Sequence, residues 1–497
     1  MSDDVVKVRI VTPDREIEAE VPYQDGMVLL DALRYVREEI EPDLTFMYSC
    51  RNAQCGTCAV MVDGKPALAC DTPLKPGDEI TVEPLKHVPV VEDLMVDWTY
   101  VTEHLRRLAP VAHLDWFRRR DPEEAEVLHE LRSCIECLCC VAACPVISAR
   151  EGVNPGPTVL RKLAEESIKA GDTFTPDRGT VYGCTCCHTC EEVCPKDIEI
   201  PGKAVETVRA RLREEGRGPL DPHDEVGKLA VETGRSVTYE GESFLERYSG
   251  THGEGDLRVM FFTGCLVDYR LPHVGEALVR IAEELGFELV VPESQVCCGS
   301  PLFRTGQRDR AEKLAFRNLE AFNEADPDVV VTLCAGCGAT LKNDYPEVLG
   351  ERFEWEVMDV TELLVHELKV TEEPLEYPGE IKVTYHDPCH LKRAQGVWKE
   401  PRRILKAVRG VEFVEMKEPD RCCGAGGGVR SGMRDLARLM ADVKAGMVEE
   451  LGVDVLTTVC PFCEYNLREA VDRRDLDVEV PNLTEIVARA LQPHARG

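Results

Sequence analysis

Cysteine spacing constrains this chain more than any other feature. Of its 24 cysteines, 22 fall into five spaced groups. One group reads C-x4-C-x2-C with a fourth cysteine further on, two read C-x2-C-x2-C-x3-C-P, and two read C…CCG…C-x2-C. Each layout is a thiolate set of the kind that holds iron–sulfur clusters. Where disulfides are rare, clustered cysteines bind metal. The pattern therefore describes a row of redox centres, not a crosslinked scaffold.

Length and charge narrow the setting. A chain of 497 residues is too long for one core, and about 150 residues per domain gives roughly three domains. The net charge of −32, from 91 acidic and 59 basic side chains, repels phosphate backbones and anionic lipid. Nucleic acid and membrane surfaces are excluded as partners on that ground, and the acidic groups read as a solvated surface. No stretch approaches the roughly 18 consecutive apolar residues of a membrane span. Met1-Ser2-Asp3-Asp4 has neither a basic leader nor a twin-arginine signal. The expectation is a cytoplasmic protein whose membrane anchor, if it has one, lies on another chain.

Residues 1–85 alternate like strands, with a helical run over 28–40 and a strand at Ala59-Val60-Met61-Val62 entering an Asp63-Gly64 turn. Residues 100–215 read as mostly helical around two Cys-rich loops. The polar, Gly-rich stretch 214–256 reads as a linker. Beyond it the chain is α/β and duplicated: Cys265 and Cys389, Cys297 and Cys422, and Cys334 and Cys460 are separated by 124, 125 and 126 positions. Val329-Val330-Val331-Thr332-Leu333 is a buried strand running straight into Cys334.

Cys50, Cys55, Cys58 and Cys70 have the spacing of plant-type [2Fe–2S] ferredoxins. Gly56 leaves room for backbone N–H groups to approach the sulfurs. A zinc site favours two C-x2-C pairs over such a loop. The next two runs end at Cys144-Pro145 and Cys194-Pro195. In two-cluster ferredoxins the fourth cysteine of each run ligates the opposite cluster. One [4Fe–4S] set is then Cys134, Cys137, Cys140 and Cys194, and the other is Cys184, Cys187, Cys190 and Cys144. Cys139 and Cys186 lie between ligands and read as small buried packing residues.

This N-terminal part resembles the iron–sulfur subunit of succinate dehydrogenase and fumarate reductase. The matching text is SCRNAQCGTC over 49–58, Leu68-Ala69-Cys70, and HVPVVEDLMVD over 87–97. The resemblance implies a β-grasp [2Fe–2S] ferredoxin domain over 1–98, which takes electrons from a separate flavoprotein subunit. An α-helical domain with two [4Fe–4S] clusters would follow over 99–213. Family members that reduce quinone usually lack the cysteine at the position of Cys187 and have aromatic residues after the first C-P. Here Cys187 is present and Val146-Ile147-Ser148-Ala149 follows, so electrons are expected to continue into the C-terminal half.

Past the 214–256 linker, the repeats over 257–378 and 379–497 resemble the B subunit of heterodisulfide reductase. The resemblance implies two non-cubane [4Fe–4S]-type clusters between which a disulfide is made or cleaved. One would sit on Cys265, Cys297, Cys298, Cys334 and Cys337, the other on Cys389, Cys422, Cys423, Cys460 and Cys463. Electron-transfer subunits of glycolate, lactate and glycerol-3-phosphate dehydrogenases share the repeat but often have incomplete sets; both sets are complete here. His386 and His390 flank Cys389 and could move protons at a thiol sulfur or simply hold loops. Lys392, Arg393 and Arg304 could pair an anionic substrate or form ion pairs within the protein.

The fusion of these halves resembles the B subunits of thiol:fumarate reductases. That family implies a heterodimer in which this chain oxidises coenzyme M and coenzyme B thiols to the heterodisulfide. Electrons would pass to an FAD-bearing partner that reduces fumarate to succinate. No G-x-G-x-x-G follows a first strand, so FAD is expected only on the partner. The Gly424–Gly428 run is read as wrapping a cluster or admitting a substrate tail. The alternatives are an iron–sulfur relay of a succinate or 2-hydroxy-acid dehydrogenase serving a membrane partner, and a zinc-bound scaffold.

Overall fold

A computed structural model describes residues 5–108, 121–170, 178–239 and 241–491. It divides into two units: Met1–Val181 with His188–Arg211, and Tyr182–Cys187 with Leu212–Gly497.

The first unit opens with a mixed sheet. Its strands are β1 (Val5–Val11), β2 (Glu16–Pro22), β3 (Ala59–Val62), β4 (Lys65–Leu68) and β5 (Glu79–Glu83), ordered β2-β1-β5-β3-β4. Alternation in sequence becomes alternation in burial: Val6, Val8 and Ile10 of β1 and Ile17, Ala19 and Val21 of β2 face inward. β1 runs antiparallel to β2 and parallel to β5. The helix Leu29–Tyr35 contributes buried Leu29, Leu30 and Leu33. A ribbon of β6 (Val90–Glu92) and β7 (Met95–Val96) follows.

Past the ribbon the secondary structure described in this unit is helical, broken by loops that include the cysteine runs. Asp121 caps the helix Pro122–Arg132 by accepting from the Glu124 N–H at 2.7 Å. The helix Pro157–Ala170 carries a buried ion cluster in which Arg161 donates to Glu165 at 2.6 Å and to the Leu131 carbonyl at 2.9 Å. Burial pushes the Glu165 carboxyl up, but Lys169, Lys162 and Arg161 outweigh it and hold the group at about 2. A carboxylate depressed in the folded state stabilises the fold above its unfolded value and loses that contribution as pH falls through the folded one. Glu165→Gln is expected to cost about 2 kcal/mol near neutrality. Its difference from the parent, followed by denaturation, should vanish as pH falls from 4.5 to about 2.

The second unit is built on parallel strands. β8 (Gly250–His252), β9 (Arg258–Phe262), β10 (Glu288–Val291), β11 (Val329–Thr332) and β12 (Val357–Asp359) form a sheet ordered β12-β11-β9-β10-β8, parallel except for the edge strand β8. The second repeat gives β13 (Glu376–Tyr385), β14 (Arg409–Phe413) and β15 (Val455–Thr457), all parallel and ordered β14-β13-β15. A parallel bridge from Val455 to Glu479 occupies the place of β12. The order 10-9-11-12 thus recurs as 14-13-15 plus the bridge, the structural counterpart of the sequence duplication. All four residues of β11 are buried, as a strand covered on both faces requires. One apolar core runs through both repeats, from Val259, Phe261 and Leu278 to Val383, Leu456 and Ile486.

The stretch 214–256, read from sequence as a linker, is substantially ordered. It holds the helix Asp221–Thr233, the turn Phe244–Tyr248 and β8. Its few apolar residues suffice because they pack on the repeats: Phe244 and Leu245 join the shared core and Ala230 packs with Cys265 and Cys297.

Candidate metal centres

In the first unit Cys50, Cys55, Cys58 and Cys70 lie on the loop before β3 and the turn after β4. Arg51 and Ala53 adopt φ of +56° and +49°, which turns successive amides toward sulfur. The N–H groups of Asn52, Gln54 and Cys55 donate to the Cys50 Sγ at 3.4, 3.3 and 3.3 Å. The Ala53 N–H donates to the Cys70 Sγ at 3.4 Å. Amides around thiolates stabilise negative charge, and so stabilise a reduced cluster.

Gly56 has a further reason beyond the room it leaves for amides to approach sulfur. A Cβ there would lie 2.8 Å from the Cys137 Cβ and 2.9 Å from the Ile135 carbonyl oxygen. The glycine lets the Cys50–Cys58 loop touch the Cys134–Cys140 loop.

Four thiols drawn from both runs, Cys134, Cys137, Cys140 and Cys194, line one cavity together with Leu138, Ile198 and Ile200. Burial pushes the Cys140 thiol well above its ordinary value, a cost that a bound cation removes. The donor set and its apolar walls fit a four-iron cluster. Of the second set, Cys144 and Cys190 belong to the first unit and Cys184 and Cys187 to the second. Both runs share one backbone device: Glu136 and Leu138, and Cys186 and His188, are left-handed, and the Glu136 and Cys186 amides donate to Cys134 and Cys184 at 3.4 Å. Cys139 and Cys186 are fully buried.

In the second unit the cysteines cluster at the carboxyl ends of the parallel strands. Cys265, Cys334, Cys389 and Cys460 follow β9, β11, β13 and β15, the ends where open α/β sheets place their ligands. Thiol contacts link Cys265 to Cys297, Cys297 to Cys298, and Cys298 and Cys334 to Cys337. The second set repeats the series from Cys389 to Cys422, Cys423, Cys463 and Cys460, with the Cys423 and Cys463 sulfurs 3.5 Å apart. Cys334 and Cys460 join one set to the other. Proton sharing with Cys298 lifts the Cys337 thiol well above the usual range, and sharing with Cys423 does the same to Cys463. Buried thiols this close cannot ionise together without a cation among them. Ten in contact suit extended clusters better than single tetrahedral ions.

The glycine run has a specific task. A Cβ on Gly427, whose φ is +62°, would stand 2.4 Å from the Cys184 carbonyl oxygen. The Cys184–Cys187 loop thereby presses on the second set: Cys187 contacts Cys422, and the Thr185 hydroxyl lies 3.6 Å from the Cys422 Sγ. A cysteine of the second C-x2-C-x2-C run therefore touches a cysteine of the second CCG set.

His390 stands beside Cys389, with Nδ1 3.6 Å from its Sγ. His386 is fully buried, and desolvation pushes its imidazole down to about 3, so it stays neutral at ordinary pH. Neither of its ring nitrogens has a hydrogen-bond partner among the described residues. Arg304 pairs with Asp344, and Lys392 and Arg393 with Asp420. These cations neutralise the protein's own carboxylates, and Asp420 leads into Cys422-Cys423. Other supports had no signal in the sequence. Lys444, fully buried and pushed down to about 7 by desolvation, donates to the carbonyls of Glu418 and Pro419. Arg402 grips Asp387 through two bonds of 2.8 and 2.7 Å. Asn318 and Asn466 bond the carbonyls of Cys297 and Cys423 at 3.1 and 2.6 Å.

Comparison with known proteins divides the chain as its chemistry does. Residues 11–103 match a 2Fe-2S iron-sulfur cluster binding domain, residues 130–198 a 4Fe-4S dicluster domain, and residues 259–342 and 383–468 each a cysteine-rich domain. The chain is 42% identical over 482 residues to the B subunit of fumarate reductase (CoM/CoB) from Methanothermobacter marburgensis, covering 95% of both chains. It is 36% identical over 388 residues to the D subunit of dihydromethanophenazine:CoB–CoM heterodisulfide reductase from Methanosarcina acetivorans, covering 73% of this chain and 95% of that one. A hypothetical protein from Helicobacter pylori shares the fold, with a TM-score of 0.60 at 12% identity over 99% of this chain and 95% of that one. Among the described residues no helix is long and apolar enough to cross a membrane. The chain is an iron–sulfur oxidoreductase subunit that belongs to the family of the fumarate reductase (CoM/CoB) B subunit.

Proposed function

We propose that this chain oxidises coenzyme M and coenzyme B thiols to their heterodisulfide and delivers the electrons to a flavoprotein subunit that reduces fumarate to succinate. The observation that carries the reading is the junction of two complete five-thiol sets at Cys334 and Cys460, in a chain alignable with a CoM/CoB fumarate reductase subunit over 95% of its length. Two thiols release two electrons and two protons as the sulfur–sulfur bond forms, and fumarate takes up two of each on becoming succinate. Iron–sulfur clusters, when bound, supply the one-electron steps that join these two-electron reactions across a distance.

The residues divide the work. Cys265, Cys297, Cys298, Cys334 and Cys337 hold one non-cubane cluster, and Cys389, Cys422, Cys423, Cys460 and Cys463 hold the other. Cys134, Cys137, Cys140 and Cys194 hold one [4Fe–4S] cluster, Cys144, Cys184, Cys187 and Cys190 the second. Cys50, Cys55, Cys58 and Cys70 hold the [2Fe–2S] cluster of a β-grasp domain spanning 1–98. His390, with Nδ1 beside the Cys389 sulfur, accepts a thiol proton there. FAD sits on the flavoprotein partner, and the pair works as a cytoplasmic heterodimer.

The reading is tested by mixing the anaerobically purified chain with its flavoprotein partner, fumarate and both thiols. Free thiol should disappear in step with succinate, two per fumarate. Constant thiol, with succinate formed from an artificial donor, would reduce the chain to a relay.

A further inference from the structure

We propose that the His386 imidazole is a non-cysteine member of the second cysteine-rich centre, bonded through a ring nitrogen to the group held by Cys423 and Cys463, and that the first centre has no such member. A His386 ring nitrogen and the sulfurs of Cys423 and Cys463 all lie within 4.8 Å of one another. The ring is fully buried and both nitrogens lack a partner among the described residues. A neutral imidazole brings one donor and one acceptor, and buried groups of this kind are paired in native proteins. The Cys423 and Cys463 sulfurs stand within 4.8 Å of a ring nitrogen, so the partner assigned is the sulfide or iron of that centre.

The duplication supplies the control. The offset of 124 that relates Cys389 to Cys265 relates His386 to Phe262. Phe262 ends β9 just as His386 follows β13. Phe262 packs in one apolar cluster with Cys298 and Cys337, the counterparts of Cys423 and Cys463. The same place beside the same two cysteines therefore holds a ring that can bond the centre in one repeat and a ring that cannot in the other. Backbone support at this place is independent of the imidazole: the His386 N–H donates to the Thr457 carbonyl at 2.9 Å, and Asp387 is held by Arg402. A donor at a cluster favours its reduced form, so the imidazole raises the potential of the second centre.

This rests on the reading that each five-thiol set binds an iron–sulfur cluster, and the test separates the two claims. The full chain labelled with ¹⁵N-histidine is examined by pulsed EPR after partial reduction. A nitrogen coupling is expected that His386→Phe abolishes, strong if the nitrogen binds iron and weak if it donates to sulfide. In His386→Phe the midpoint potential of one cysteine-rich centre should fall while the other stays, and His386→Gln, which keeps an N–H donor, should restore part of it. Phenylalanine is a ring the chain already uses at this place, so iron and sulfide content should persist. Full cluster content with no coupling lost in His386→Phe and an unmoved potential would overturn the proposal alone. Absence of iron and sulfide from the cysteine-rich sites of the parent chain would overturn the reading beneath it.

Discussion

Cys423→Ser should abolish thiol oxidation by the assembled enzyme while leaving dye-driven fumarate reduction by the flavoprotein partner intact. Cys423 is fully buried and contacts both Cys422 and Cys463, so its loss removes the centre of the second five-thiol set. Serine keeps the volume but offers iron a hard, weakly acidic oxygen in place of a soft thiolate. Members of a set that act as a unit fail together, so the thiol rate should fall by roughly 10³ or more. The first unit, with its own cysteines, should retain its [2Fe–2S] signal. Parallel loss of both activities and of that signal would mean global unfolding, and equal retention of both would remove Cys423 from the site.

Gly427→Ala should cut the connection between the cysteine-rich sites and the four-iron loop. The new Cβ meets the Cys184 carbonyl oxygen at 2.4 Å and the φ of +62° strains an L side chain. Backbone on both sides leaves little to give, so about 2–4 kcal/mol of stability should be lost, or the Cys184–Cys187 loop must withdraw from Cys422. Thiols should then still react at the cysteine-rich sites, but thiol-driven reduction of the four-iron centres, followed by EPR, should slow sharply. Gly396→Ala is the control: it also lies at positive φ, +74°, but its Cβ meets nothing within 4 Å. Equal slowing in both variants would show strain, not the loop contact, to be the cause.

Both glycines illustrate how function entered the packing. Gly56 and Gly427 each stand where two cysteine loops touch, and neither carries a ligand. In sequence they resemble ordinary loop glycines, one between ligands and one in a glycine run. Only the distance from a hypothetical Cβ to Cys137 or Cys184 reveals what each permits. Of the two readings open for Lys392, Arg393 and Arg304, an anionic substrate or ion pairs within the protein, the structure shows the second, with Asp420 and Asp344 as partners. Carboxylates 27, 28 and 40 positions away in the chain leave no local pattern that names the partner.

The ligand groups and the duplication were legible without coordinates, because metal coordination demands fixed residue types at short fixed spacings and a repeated fold repeats them. So were the alternating strands β1 and β2 and the buried run of β11, whose periodicity answers directly to burial. The order in 214–256 was not, since Phe244, Leu245 and Ala230 are too sparse to signal a core they only complete. The crossed pattern of the two runs also foretold that Cys194 would join Cys134, Cys137 and Cys140, whereas tertiary structure alone brought Cys334 to Cys460 and Cys187 to Cys422. Tertiary structure also set His386 beside Cys423 and Cys463. Those meetings depend on chain segments far apart in sequence, and spacing within a segment carries no information about which distant segment will close upon it.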